Sequence, residues 1–130
     1  MSDEPSAFAS IHAFLSYLPT STSRIPPSII PPAFQASQQE LLSIIPRKRT
    51  QTYDIRRLVE VIVDVGTWFE MGATWGKSIV TGLSRINGRS IGVITQDCRE
   101  KGGTLDAKSA EKVRRFVDLW CVPLHVLRVF

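Results

Sequence analysis

WGKSIVTGLSRINGRSIGVITQDCREKGGTLDAKSAEKVRRF, Trp75 to Phe116, reads without a break as hairpin, glycine-containing loop and amphipathic helix. Asn87-Gly88 is the hairpin signal, because both residues tolerate the positive φ that a type I′ turn demands. Its flanks are Ile79 to Ile86 and Ser90 to Thr95. Neither flank alternates cleanly between apolar and polar residues. Small residues (Gly82, Ser84, Gly92) sit among Ile79, Val80, Leu83, Ile91, Val93 and Ile94, the pattern of a sheet covered on both faces. An α/β layer fits this better than an open antiparallel sheet. Beyond the loop, Asp106 is a helix N-cap candidate, its carboxylate placed to accept the free amides of the first turn. Val113, Phe116, Val117 and Trp120 then fall on one helical stripe. Pro123 is expected to stop that helix, and Leu124 to Leu127 to open another strand.

Outward from this stretch the chain divides in three. Phe8, Ile11, Leu15 and Leu18 share a helical face, with Pro19 predicted to end the helix; so short an amphipathic helix needs something to dock on. Thr20 to Pro32, TSTSRIPPSIIPP, is a Pro/Ser-rich linker expected to be extended. The globular candidate starts at Phe34. It opens with a short helix around Gln39 to Ile45 and a basic loop. A helix from Ile55 to Val63 follows, capped by Asp54 and striped by Ile55, Leu58, Val59 and Ile62. Trp68, Phe69 and Trp75 read as packing residues ahead of the hairpin. The domain boundaries are therefore set at 1–19 (docking helix), 20–33 (linker) and 34–130 (globular part).

Composition narrows the function classes. Hydrophobic residues make up 43% of the 130, which argues against disorder. No apolar stretch approaches the roughly 18 residues of a membrane span, so no membrane partner is expected. The formal net charge of +4 comes partly from Arg47-Lys48-Arg49 and partly from Arg114 and Arg115. These charges are not interleaved with aromatics, the pattern of a solvated loop and helix face rather than a nucleic-acid surface. Two cysteines, Cys98 and Cys121, without a Cys-x-x-Cys or clustered histidines suggest neither zinc nor a disulfide framework. The start MSDEPSAF lacks a secretory apolar core and an arginine-rich presequence, which makes the cytoplasm the default compartment.

The motifs also carry a family likeness. In order they are VTG (80–82), R-I-N-G-R (Arg85 to Arg89), a strand ending in Gln96, GG-x-L-D (Gly102 to Asp106), S-x-E-K-x-x-R-F (Ser109 to Phe116) and the strand opening Pro123-Leu124. This order resembles the carboxyltransferase domain of biotin-dependent acyl-CoA carboxylases, at the opening of its C-terminal half. Upstream, Phe14 to Pro27 resembles the segment closing the family's N-terminal half. Leu41 to Pro46 and Tyr53 to Asp64 resemble the entry to its second half. Nearly the whole chain takes part, yet it resembles only a portion of the family's domain.

The resemblance implies a crotonase-like fold of β-β-α units in a spiral, here partial. It implies carboxyl transfer from carboxybiotin to an acyl-CoA, with biotin on a separate carrier domain and no cofactor covalently held by this chain. It also implies carboxylase subunits as partners, in a homo- or hetero-oligomer, and leaves a mitochondrial location open beside the cytoplasm. Both reacting oxyanions, enolate and biotin ureido oxygen, need paired backbone amides; losing one such donor typically costs about a hundredfold in rate. One of those amide pairs lies in the family's N-terminal half, the other beyond a strand ending Asp-Val-Pro-Gly-Phe, and this sequence contains neither. The helix after Phe116 also reaches Pro123 nearly a turn early, and the last strand ends at Phe130 without Pro-Gly-Phe, so a truncated, inactive fragment is the expectation.

No catalytic residue and no metal ligand is assigned. Gln96, Gly102 and Gly103 are the candidates for a substrate or biotin pocket wall, and each has an ordinary reading beside it. Gln96 can close a strand end on nearby backbone, and Gly102-Gly103 can form a tight turn before a helix cap. Asp97-Cys98 makes a nucleophile only with His12 or His125 beside it, and nothing in the spacing puts them there. A non-catalytic module docking on intact carboxylase subunits is the alternative to an enzyme component.

Overall fold

The computed structural model describes residues 3–21, 24–30, 38–48, 50–121 and 128–129. Its elements are α1 (Glu4–Leu15), α2 (Gln38–Ile44), α3 (Ile55–Ile62), β1 (Phe69–Met71), β2 (Ile79–Ile86), β3 (Arg89–Gln96), a 3-10 turn (Lys101–Gly103), α4 (Ala107–Cys121) and β4 (Arg128–Val129). The sheet order is β1-β2-β3-β4. The first three strands are antiparallel and β4 joins β3 in parallel, with α4 as the crossover. The predicted strand over Leu124 to Leu127 and the stop at Pro123 lie outside the described residues.

Asn87 and Gly88 have φ of 51° and 75° and join strands whose last pair is Ile86 and Arg89, so the turn is type I′. Asp64, 6% exposed, holds the turn from below. Its carboxylate accepts the amides of Asn87 (3.0 Å) and Gly88 (2.7 Å). The linker crosses above, the Ile29 amide donating to the Gly88 carbonyl at 3.1 Å. Asp64→Ala orphans the buried Gly88 amide and is expected to cost about 2 kcal/mol, with Asp64→Asn recovering part of it. Urea midpoints of the two variants check this.

The small residues of β2 and β3 are notches for aromatic rings. A Cβ on Gly92 would stand 2.8 Å from the Trp120 indole, and one on Gly82 would stand 2.5 Å from Cη2 of Trp68. These rings lie on opposite sheet faces, as the alternation of Gly82 and Leu83 along β2 requires. On one face Leu83, Phe116 and Trp120 pack with Tyr17, bordered by Phe14, Leu18, Phe69, Met71 and Ile94. On the other, Val59 and Val63 pack against Ile91 and Val93, bordered by Trp68 and Ile86. The sheet is thus covered on both sides, by α3 and by α4 with the end of α1.

Both predicted caps form. Asp54 accepts the Arg56 amide at the start of α3, and Asp106 accepts the Ser109 amide at 2.8 Å at the start of α4. The end of α1 differs from expectation. The helix stops at Leu15 rather than at Pro19, because the chain turns so that Tyr17 enters the core and its hydroxyl donates to the Thr67 carbonyl. Arg85 closes the same corner, with its guanidinium 4.3 Å from the Tyr17 ring centroid and Nη2 donating to the Ser16 carbonyl. The stripe Phe8, Ile11 and Leu15 faces outward, each residue more than half exposed, and α1 is anchored through Phe14, Tyr17 and Leu18 instead.

Candidate functional site

Where β3 runs out, four charged side chains and a helix cap converge. Arg56, in the first turn of α3, forks onto Glu70 of β1, with Nε and Nη2 each 2.8 Å from a carboxylate oxygen. Its remaining nitrogen reaches Asp97 at 2.7 Å. Asp97 also accepts the Arg99 amide (3.0 Å) and Arg99 Nε (3.2 Å), while Arg99 Nη2 extends to the cap residue Asp54. The network ties α3, β1 and the end of β3 together.

Its electrostatics are those of a lock. Burial pushes the Asp97 carboxyl upward, but hydrogen bonds from Arg99 and Arg56 outweigh burial and hold it below the ordinary aspartate value. The hydrogen bonds that Arg56 donates to Glu70 raise its pKa further above its already high value. Asp97 is thereby held as a carboxylate and Arg56 as a guanidinium near neutral pH.

Beside the network lie the residues singled out from the sequence. Gln96 is the exposed last residue of the β2–β3 ladder, opposite Ile79. A Cβ on Gly103 would stand 3.6 Å from the Gln96 Cβ, so these two are brought together, whereas Gly102 faces open space. Lys101, Gly102 and Gly103 are all left-handed, with φ of 50°, 66° and 74°. That run is a tight turn which glycine makes accessible. The Gly103 amide donates to the Glu100 carbonyl at 2.9 Å and is spent within the turn. Cys98 is a half-buried free thiol whose Sγ lies 3.5 Å from both the amide and the carbonyl of Tyr53. His12 is exposed on α1 and shares no hydrogen bond with Cys98 among the described residues; His125 lies outside them. Arg114 and Arg115 pair with Glu111 on the helix surface. Among the described residues no group of three or more His, Cys, Asp or Glu is placed to hold a metal, and no helix is long and apolar enough to cross a membrane.

Three supporting residues are not marked by any motif in the sequence: Asp97 as the hub, Asp64 under the hairpin, and the buried Lys112. The available signal was the same in each case, a charged residue at the end of an apolar element or within a buried stripe.

An antiparallel hairpin crossing over through a helix to a parallel strand is a β-β-α unit, and its polar cluster braces that unit. The chain belongs to the carboxyl transferase domain family, whose model matches residues 1–127. It is 31% identical over 127 residues to the biotin-dependent long chain acyl-coenzyme A carboxylase beta4 subunit of Mycobacterium tuberculosis, covering 93% of this chain and 24% of the relative. It is 37% identical over 97 residues to a biotin-dependent acetyl-/propionyl-coenzyme A carboxylase beta6 subunit of Mycobacterium bovis, covering 72% of this chain and 20% of the relative. Among solved structures, the transcarboxylase 12S hexamer with hydrolysed methylmalonyl-coenzyme A superposes with a TM-score of 0.89 at 28% identity, covering 98% of this chain and 25% of that one. The fold is therefore crotonase-like and partial, as expected. The chain spans a quarter or less of the length of these relatives.

Proposed function

We infer that this unit serves as scaffold within an acyl-CoA carboxyltransferase, joining its two halves and contributing to the pocket wall through Gln96 and the Gly102-Gly103 turn. The boundaries 1–19, 20–33 and 34–130 correspond in this reading to the end of the N-terminal half, the linker and the start of the C-terminal half. The reaction of the assembly is carboxyl transfer from carboxybiotin, on a separate carrier domain, to a coenzyme A thioester. One observation carries the reading: a family match along the chain combined with a polar cluster whose charged groups are consumed by one another. The enolate and ureido oxygens need amide pairs aimed at them, and the Gly103 amide is committed to Glu100.

On this reading the isolated chain has no turnover and holds no coenzyme A. Calorimetric titration of the purified chain with coenzyme A is expected to show no saturable heat up to millimolar concentrations. Micromolar binding would place a complete nucleotide pocket within these residues and overturn the scaffold reading. A second reading, a module docking on intact carboxylase subunits, is favoured by the outward stripe Phe8, Ile11 and Leu15 on α1. Co-elution with such a subunit, abolished by Leu15→Glu, is its expected result.

A further inference from the structure

Lys112 is the buried charge that the scaffold role leaves unexplained. It is 4% exposed, and its ammonium makes one hydrogen bond among the described residues, to the Ile79 carbonyl at 2.7 Å. An ammonium has three donors, so two remain unspent. Its stem runs past Gly72 and Gly76, where an added Cβ would stand 3.3 Å from Lys112 Cε and Cδ respectively. Both glycines have positive φ, so the loop before β2 is shaped around this side chain. Burial pushes the lysine below its ordinary pKa, the Glu70 charge opposing and the Arg56 charge reinforcing that shift. Glu70 is itself held in the Arg56 fork and does not hydrogen-bond Lys112.

The lysine lines a cleft of about 150 Å³ between the 72–75 loop and α4. Met71, Trp75, Phe116 and Leu119 supply carbon surface, Arg115 stands at the rim 5.3 Å from the Trp75 ring centroid, and among the described residues no carboxylate lines the space. Arg115 already pairs with Glu111 at 2.8 Å; Lys112 makes no salt bridge among the described residues, the Glu70 charge acting on it only from beyond contact. Buried donors without acceptors are costly, and an apolar cleft holding such a donor set fits an anion with a short carbon tail. An apolar cavity of about 150 Å³ takes a molecule the size of benzene, the size range of a short carboxylate.

We propose that this cleft binds a short-chain aliphatic carboxylate of three or four carbons, its oxygens on the Lys112 ammonium and its chain against Met71, Phe116 and Leu119. The assignment is independent of the carboxyltransferase reading, because it uses only the charge, volume and lining of the cleft.

Titration of the full chain with butyrate, followed by amide NMR shifts and Trp75 fluorescence, tests it. Saturable shifts confined to residues 71–81 and 112–119 are expected, with butyramide at least tenfold weaker. Lys112→Met should lose at least tenfold in butyrate affinity. Because that variant can fail to fold, Leu119→Trp is the second probe: Leu119 is 41% exposed, the substitution fills the cleft while keeping the lysine in the sequence, and it should abolish binding. Non-saturating shifts, equal affinity for butyramide, or undiminished binding to a folded Lys112→Met or Leu119→Trp protein overturns the proposal.

Discussion

Gly82→Val is expected to destabilise the chain by about 3 kcal/mol, the upper end of what overpacking costs. The added Cβ would stand 2.5 Å from Cη2 of Trp68 and 2.6 Å from the Phe69 carbonyl oxygen. The indole is the end of a side chain; the carbonyl belongs to β1, which is paired to β2 at this point, and cannot retreat without breaking the ladder. Valine has the better strand propensity, by about 1 kcal/mol. The clash exceeds that gain, so the sign is destabilising. Chemical denaturation gives the magnitude, and Trp68→Leu in the same chain should restore only part of the loss, since it relieves the ring and not the carbonyl. Full recovery in the double variant would show that the ring alone sets the spacing.

Asp97→Ala is expected to cost about 3 kcal/mol, because it leaves Arg56 and Arg99 without the carboxylate that both address. Asp97 is 2% exposed and Arg56 retains Glu70, which puts the loss at the low end for a buried ion pair. The charge also fixes a pH dependence. A carboxylate whose folded pKa lies below its unfolded value contributes stability that is present above the unfolded pKa and lost as pH falls through the folded one. Asp97 is shifted in that direction. Glu111, held by hydrogen bonds from Arg114 and Arg115, and Asp106, held by Ser109, lie at about 2. Denaturation midpoints should therefore be flat near neutral pH and fall from about pH 4 toward 2. Asp97→Asn should make that fall shallower, and an unchanged acid limb in this variant would mean that Asp97 is not the linked group.

Features governed by neighbours in the chain were readable from the sequence. Asn87-Gly88 demanded its turn, Asp54 and Asp106 their caps, and the small residues Gly82 and Gly92 signalled a sheet covered on both sides. What could not be read depends on partners far along the chain. Asp64 meets Gly88 at a separation of 24 residues, Lys112 meets Ile79 at 33 and Arg56 meets Asp97 at 41. No local periodicity encodes those distances. The early end of α1 has the same origin: a proline rule put it at Pro19, while a hydrogen bond from Tyr17 to Thr67, 50 residues away, pulls the chain out of the helix sooner. Gln96, Gly102 and Gly103 were placed by motif order, which gives position along the fold and carries no information about whether an amide is free to meet a ligand.

The scaffold account is tested most directly by supplying the purified chain with a carboxybiotin-loaded carrier and acyl-CoA thioesters of several chain lengths, then quantifying carboxylated product by mass spectrometry. The account predicts product no greater than in the protein-free control for every thioester. Product that accumulates in proportion to the concentration of the chain, and disappears when the chain is unfolded, would contradict it.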